Sequence, residues 1–369
     1  MIEVTQRQVD AFRLRRHGLS PRAPAAGAVA TVTAVVGLQA QVASAAELML
    51  WARSDGLAPG TLDRLLWEQR ALAKTWTMRG TLHVVPPDDV GLLGTARGGY
   101  EPFPDSWLSY FKVSRAEFDL LMEAISAVLS EQPVSRRELS EAVGRQASPE
   151  LGRQLLSGWG TFLKPLARRG TLVNGPPRGQ EATFVSAEAW LGPRRQWTPA
   201  EAGPEALRRY LGVFGPATRA DFARWLGARP PWAGQAWAAA AAELREVEVA
   251  GRRLWMLARD LPELERAEAD QRVRLLGPFD TWLLGHADRS HLFSAAQRPL
   301  VSRTAGWISA VVLRGGRVAG TWTHKRGTRG LEVRVALFAP LPAAGRRQLE
   351  AEAERLAGFL GGPLRLAVG

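Results

Sequence analysis

The sequence contains no cysteine, and this absence removes several classes of site. The chain forms no disulfide, holds no metal through thiolates and has no cysteine nucleophile. Histidine is also scarce. Its five positions (His17, His83, His286, His291 and His324) show neither an HExxH motif nor another paired-ligand spacing, so we expect no metal site.

Long apolar runs are also missing. The longest, such as 236–242, are short and rich in alanine, whereas a membrane helix needs about 20 consecutive apolar residues. The first 19 residues are charged throughout and contain no apolar signal core. With 46% hydrophobic residues in 369, we expect a folded cytoplasmic protein with no membrane partner.

Charge is strongly of one sign. The formal net charge is +12, and only four of the 48 basic residues are lysine. Such an excess favours a polyanionic partner, and nucleic acid is the first candidate. The alternative is a basic composition that reflects a GC-rich genome, since arginine, alanine and glycine are all abundant.

Cap residues and apolar spacing predict helices in the N-terminal region. The Thr5-x-x-Gln8 pattern is typical of a capping box, and Gly18 is a typical helix end. A β-rich piece follows at 75–86. The predicted helices cover 5–17, 28–41, 43–54 and 61–73.

Two later stretches repeat this plan of helices followed by a hairpin. Capping patterns at Ser114, at Ser135-x-x-Glu138 and at Thr218-x-x-Asp221 mark helix starts. The second stretch has predicted helices at 114–130, 135–144 and 150–169, then two strands in 170–185. The third has helices at 204–215, 218–227 and 234–247, then a hairpin around Gly251.

Internal echoes support a repeat. PVSRRELSEAVG at Pro133 and PATRADFARWLG at Pro216 share one pattern, and Arg-Gly-Thr-Leu occurs at Arg79 and again at Arg169. We therefore predict an α+β protein of three tandem winged-helix units, whose third helices face the major groove of DNA. The predicted domains are 1–112, 113–198, 199–270 and a β-rich C-terminal subdomain, 271–369. That subdomain has predicted strands from 306 to 338, with turns at Gly315-Gly316 and around Gly327–Gly330, and a terminal helix at 343–360.

Two glutamines interrupt an apolar helical stripe. Val29, Val32, Val36 and Gln39 share one face of the helix predicted for 28–41, and a polar amide there needs a partner or a cavity. Gln41 lies about 200° further around the helix. The pair can serve one site only if the helix breaks near Ala40. The alternative is that both are ordinary capping or surface residues.

Four segments together resemble the AlkZ-type DNA glycosylases, a bacterial family of winged-helix enzymes that includes self-resistance proteins of antibiotic producers. They are GLQAQVASAAELMLWARSDGL at 37–57, TWTMRGTLH at 75–83, FDTWLLGHADRSHLF at 279–293 and RVAGTWTHKRGTRGLEV at 317–333. The similarity in plan extends over essentially the whole chain.

This resemblance implies a monofunctional enzyme, without metal or organic cofactor, that excises bulky N7-alkylated purines and unhooks interstrand crosslinks. The implied partner is double-stranded DNA bearing such adducts or crosslinks, held in a concave, positively charged channel. The catalytic Gln-apolar-Gln motif corresponds to Gln39-Ala40-Gln41. The related YcaQ-type branch has Asp at the last position. A hairpin corresponding to Thr321–Leu331 is expected in the minor groove.

Elementary chemistry is consistent with a glutamine site. An N7-alkylpurine already carries positive charge, so its departure needs no general acid. The enzyme then mainly orients water and stabilises positive charge on the sugar, and amide carbonyls accept hydrogen bonds and supply a dipole. Amides are not strong general bases, so we expect activity only on labile, cationic lesions.

The expected DNA contacts are mostly basic residues that position the phosphate backbone. His83 is either a DNA contact or a histidine of the core or of a wing. Arg326 and Arg329 either enter the minor groove or lie at a solvated hairpin tip. The full set is Arg79, His83, Arg136, Arg137, Lys164, Arg168, Arg169, His324, Lys325, Arg326 and Arg329.

The irregular segment around Asp280, His286, Asp288 and Arg289 admits either a structural Asp–Arg pair or an acid–base pair. For the whole protein, the alternatives to an enzyme are a transcription regulator and a damage-shielding protein. Against a regulator, the units are tandem in one chain and no dimer seam is evident. We therefore expect a monomeric enzyme.

Overall fold

The computed structural model describes residues 2–98, 104–156, 160–328 and 330–369. The chain divides into two compact units. Unit 1 contains Met1–Leu62, Leu207–Trp225 and Trp237–Gly369, and unit 2 contains Asp63–Ala206 and Leu226–Ala236.

Helices occur throughout both units, most of them short. Among the described residues, none is long and apolar enough to cross a membrane. The α-helices are α1 Gln6–Arg16, α2 Ala28–Ala34, α3 Ala43–Arg53, α4 Thr61–Asp63, α5 Pro87–Ala96, α6 Asp105–Tyr110, α7 Arg115–Val128, α8 Arg136–Gln146, α9 Pro149–Gln154, α10 Lys164–Arg168, α11 Ala187–Leu191, α12 Pro199–Phe214, α13 Arg219–Leu226, α14 Pro230–Ala239, α15 Leu261–Glu265, α16 Thr281–Leu284, α17 Arg298–Val301 and α18 Ala343–Leu360.

Strands are concentrated in three hairpins and in the C-terminal sheet. They are β1 Ile2–Val4, β2 Ala23–Pro24, β3 Leu38–Gln39, β4 Ser54–Asp55, β5 Ala73–Trp76, β6 Leu82–Val85, β7 Val134–Ser135, β8 Leu172–Arg178, β9 Glu181–Ser186, β10 Leu244–Val249, β11 Arg252–Leu257, β12 Val273–Leu276, β13 Val311–Arg314, β14 Arg317–Gly327, β15 Gly330–Leu337 and β16 Leu364–Val368.

The largest sheet of unit 1 has the order β12-β13-β14-β15-β16. Its first three pairings are antiparallel, and β15 pairs with β16 in parallel. Leu349, Ala353 and Leu356 of α18 are fully buried, and α18 packs against β12. The predicted strands and terminal helix are therefore confirmed, including the turn at Gly315-Gly316, where both residues have positive φ.

The predicted helix caps are confirmed. Thr5, Ser114 and Ser135 each form a capping box with the residue three positions later. The Thr218 hydroxyl likewise accepts the backbone N–H of Asp221, whose carboxylate accepts that of Thr218. These features were predictable because all their atoms lie within one helical turn.

The helix predicted for 28–41 is wrong at its C-terminal end. Helix α2 ends at Ala34, because Val36 (φ 56°) and Gly37 (φ 95°) adopt left-handed conformations that no right-handed helix accommodates. The helix predicted for 61–73 also ends early. After α4 it continues as a π-helical turn at Arg64–Glu68, and the chain then enters β5.

Two further helix predictions are wrong in extent. The segment 150–169 contains two short helices, α9 and α10, with Gly160 (φ 73°) before the second. The alanine-rich helix predicted for 234–247 ends at Ala239, because from Leu244 the chain pairs with β11 and buries Val247 and Val249. Strands β1 and β16 were not predicted.

The second and third predicted repeats each contain helices followed by a hairpin, namely β8–β9 and β10–β11. The mixed α+β class is confirmed. The boundaries of the three winged-helix units remain predictions, as does the DNA channel.

A buried ion pair fixes helix α3 within unit 1. Arg53, the last residue of α3, donates to both carboxylate oxygens of Asp280 at 2.7 and 2.8 Å, and neither side chain is exposed to solvent. Asp280 also accepts the backbone N–H of Trp282 and so caps α16. One carboxylate therefore joins the end of α3 to the start of a helix 227 residues away in sequence.

We predict that Arg53→Met destabilises the protein by about 3–5 kcal/mol, because it leaves the Asp280 carboxylate buried without its cation. The measurement is urea unfolding followed by tryptophan fluorescence. The matched control is Arg153→Met, which removes an exposed pair with Glu150 and is expected to cost less than about 1 kcal/mol. Equal unfolding curves for the two variants would show that the Arg53–Asp280 pair does not hold the fold.

Candidate active site

The Gln39-Ala40-Gln41 segment connects a left-handed turn to helix α3. After Val36 and Gly37 the chain is extended at Leu38–Gln39, bends at Gln41, and enters α3 two residues later. Leu38 and Ala40 are buried. Gln39 is 8% exposed, whereas Gln41 is exposed to solvent.

Extended backbone at Gln39 changes the relation expected between the two amides. In a helix they would point about 200° apart, but Gln39 lies at the end of an extended stretch and Gln41 lies at the bend that follows it. The predicted break near Ala40 is therefore wrong in position, because the helix ends five residues before Gln39. The helical separation of the two amides therefore does not apply, because Gln39 lies outside α2.

Close packing of α3 holds the end of this segment. Ala45, Ala46, Leu48 and Met49 are buried along the helix. A Cβ added at Gly277, just after β12, would lie 2.9 Å from the Leu48 Cβ, so this approach requires glycine. Together with Arg53 at its other end, these contacts fix where α3 begins and hence where Gln41 lies.

The polar residues of the 280–289 segment have structural partners. Asp280 is held by Arg53, Asp288 pairs with Arg252 at 2.8 Å, and His286 Nε2 lies 3.0 Å from the Phe214 carbonyl. This supports the structural Asp–Arg alternative over an acid–base pair, although Arg289 is not the partner in either ion pair.

His17 is a buried residue that sequence reasoning passed over. Its ring packs edge-on against Phe214 and Trp282, with ring centres 4.9 Å away in both cases. Burial, together with the charges of Arg53 and Arg13, lowers the pKa of His17 well below its ordinary value. It is therefore neutral in the core. Among the described residues, no cluster of His, Asp or Glu could hold a metal ion.

His83 is part of the core of unit 2. It is 2% exposed on β6, and its Nδ1 donates to the Thr81 carbonyl at 2.9 Å. Arg79, which has a left-handed backbone (φ 55°), places Nη2 3.4 Å from His83 Nε2. Burial and the Arg79 charge lower the pKa of His83 to about 3. These observations favour the core alternative for His83 over a DNA contact.

Arg97 adds to the basic residues predicted near Arg79. Its Nε donates to the Gly227 carbonyl at 3.1 Å, and a Cβ at Gly227 would lie 2.7 Å from the Arg79 Cα. Arg97 also helps to lower the pKa of Lys164, after burial. Arg79, Arg97 and Lys164 thus form one basic cluster. The sequence analysis did not select Arg97, because it follows an apolar helix and nothing in that pattern indicates a basic cluster.

The other predicted contacts of unit 2 differ in exposure. Arg136 is half-buried, donates to the Leu155 carbonyl at 3.3 Å and lies over the ring of Phe184. Arg168 is also half-buried and donates to the Gly98 carbonyl. Arg137 and Arg169 are exposed.

Strand β14 of the C-terminal hairpin extends past the end of its neighbour β13, while β15 stays paired with β16 from Leu331. Strand β14 pairs with β13 only as far as Thr321, but with β15 as far as Gly327. The extension has exposed His324, Lys325 and Arg326, and Gly327 pairs with Gly330 next to the turn. Arg329, predicted at the tip, lies outside the described residues.

Comparison with known proteins addresses the function. A family model for DNA glycosylase AlkZ-like proteins matches residues 32–359. An interstrand DNA cross-link repair glycosylase of Streptomyces sahachiroi is 37% identical over 339 residues, which covers 87% of this chain and 88% of that protein. The chain belongs to the AlkZ-like DNA glycosylase family.

The solved structure of the Streptomyces sahachiroi DNA glycosylase AlkZ agrees with this assignment. It superposes with a TM-score of 0.88 at 34% identity, covering 99% of this chain and 100% of that one. The predicted resemblance, the enzyme class and DNA as a partner are therefore confirmed. The alternatives of a regulator or a shielding protein are not favoured.

We predict that the buried, neutral His83 makes the AlkZ-like protein less stable as pH falls. The unfolded chain takes up a proton near pH 6.5, whereas folded His83 does so only near pH 3, so stability is lost between these values. His83→Asn should reduce the slope of unfolding free energy against pH by up to about 1.4 kcal/mol per unit. NMR titration of His83 near pH 6.5 in the folded protein would contradict this account.

Proposed function

We propose that this DNA glycosylase hydrolyses the N-glycosidic bond of bulky N7-alkylated purines and unhooks interstrand crosslinks, with Gln39 and Gln41 as its catalytic residues. The observation that carries the proposal is the Gln39-Ala40-Gln41 segment itself, a short non-helical connection between a left-handed turn and an anchored helix. It lies within the region that matches the AlkZ-like family.

The burial of each glutamine suits a different task. Gln39 is almost completely buried, so its amide is held in a fixed orientation, as a preorganised dipole requires. Gln41 is exposed, so its amide can approach a sugar in bound DNA. We infer that the two carbonyl oxygens orient one water molecule and stabilise the positive charge that develops at C1′.

The reaction balances without a protein acid. The bond between C1′ and N9 breaks, the electron pair goes to the purine, and the cationic N7-alkyl base leaves as a neutral molecule. Water adds to C1′ and releases its proton to solvent, which leaves an abasic site. The charged leaving group already provides the activation that a general acid would supply to a neutral base.

DNA binding is assigned to the basic residues already located. The cluster of Arg79, Arg97 and Lys164 in unit 2 and the hairpin residues Lys325 and Arg326 in unit 1 supply charge for phosphates or for a narrow minor groove. Flipping a base costs a few kcal/mol and is obstructed when the base is crosslinked. We therefore propose that the lesion is approached from the groove in an open channel formed by winged-helix units.

The biological setting follows from this substrate class. An enzyme limited to cationic adducts is useful where an N7-alkylating natural product is made. We propose a role in DNA repair or in self-resistance to such a product, with the protein acting as a monomer.

We predict that Gln39→Ala and Gln41→Ala each lower the single-turnover rate of N7-methylguanine excision by about 100-fold, because each removes a carbonyl that orients the water or stabilises charge at C1′. The rate is measured by cleavage at abasic sites in duplex DNA, with a defined N7 crosslink as second substrate. Affinity for intact duplex should be nearly unchanged, since phosphate contacts dominate it.

The matched control is Gln132→Ala, which truncates an exposed glutamine in the loop before β7. It should excise at the wild-type rate. Full activity in both the Gln39 and the Gln41 variants would show that the catalytic assignment is wrong.

A further inference from the structure

A cavity in unit 1, separate from the glutamine segment, is lined by arginines from three parts of the chain. Arg224 comes from α13, Arg289 from the segment after α16, and Arg298 from the start of α17. Ser294 and Ser302 also line it. Its volume is about 250 Å³, below the usual range of sites for drug-sized ligands.

The three guanidinium groups carry charge of the same sign. Burial, and then the charges of Arg224 and Arg298, lower the pKa of Arg289. Arg289 Nη1 donates to the Ser302 hydroxyl at 3.2 Å, while its buried Nε has no hydrogen-bond partner among the described residues. Arg224 and Arg298 are exposed to solvent, so the cost of grouping the charges falls mainly on the half-buried Arg289, which a bound anion would stabilise.

The acidic residue of this cavity is already engaged. Asp288 also lines it, but its carboxylate pairs with Arg252 at 2.8 Å and accepts from the backbone and hydroxyl of Ser290. Its charge is therefore largely offset by Arg252. The lining keeps a positive excess that comes from the three arginines.

We propose that Arg224, Arg289 and Arg298 form a binding site for a phosphate group. Guanidinium groups bind phosphate through parallel N–H donors, and three of them with two hydroxyls suit a tetrahedral anion better than a planar carboxylate. The phosphate belongs either to the DNA backbone or to a free phosphate compound. A DNA backbone phosphate as the ligand rests on the proposed function. In that case the site fixes the register of the duplex on the protein.

The test uses Arg289→Met and Arg298→Met in the full chain, with Arg347→Met as control. Arg347 is an exposed arginine on α18 that does not line this cavity. One arm measures the affinity for an unmodified duplex by fluorescence anisotropy over a range of KCl. The other measures the shift in melting temperature that inorganic phosphate produces.

A backbone phosphate site predicts that each cavity variant binds duplex more weakly and loses about one unit from the slope of log affinity against log salt. A free-phosphate site predicts that phosphate raises the melting temperature of the wild type and of Arg347→Met, but not of the cavity variants, with duplex binding unchanged. Both results support the phosphate site and identify its source.

The proposal is overturned if the cavity variants match Arg347→Met in both arms. Loss of folding is separable, because removing one of three like charges should leave the melting temperature without phosphate unchanged or higher. Failure of the proposed function is also distinguishable, since it would appear as absence of abasic sites with the wild-type protein, whatever the two arms show.

Discussion

Arg53 donates two hydrogen bonds to the Asp280 carboxylate in a place where neither side chain reaches solvent. An unpaired charge at such depth is strongly destabilising, so each residue requires the other. Arg53 ends helix α3, and the Gln39–Gln41 segment lies at the start of that helix. Asp280 in turn caps α16 and belongs to the C-terminal part of the chain. The position of the glutamines therefore depends on a contact with residues far away in sequence.

The parts of the fold that sequence predicted correctly are those decided over a few residues. Capping boxes at Thr5, Ser114 and Ser135, and the hairpin turns at Gly251 and Gly315, need only local hydrogen bonds and local backbone conformation. Local patterns did not predict that Gln39 and Gln41 act as a pair. Apolar spacing alone extended α2 to Gln41, because nothing in a valine-rich pattern reveals that Val36 is left-handed. Only the family resemblance selected these two amides as a pair.

The structural features that the sequence did not predict depend on contacts between distant segments. The parallel pairings of β1 with β10 and of β15 with β16, and the Arg53–Asp280 pair, depend on which distant segments meet. Long-range contacts also explain the roles of two polar residues, since Asp280 pairs with Arg53 and His286 contacts the Phe214 carbonyl. His83 contacts residues near it in sequence, and burial keeps it neutral at physiological pH. In the proposed function the chemistry falls to two amides, which suffices when the leaving group is already charged.

The most direct test of a glutamine-based active site compares three duplexes that carry N7-methylguanine, uracil or hypoxanthine at the same position. Each is incubated with excess enzyme and assayed for abasic sites over the same interval. A site built on Gln39 and Gln41 predicts abasic sites only from the cationic lesion, because neither amide can protonate or strongly activate a neutral leaving group. Excision of uracil or hypoxanthine that is lost in Gln39→Ala or Gln41→Ala would contradict it.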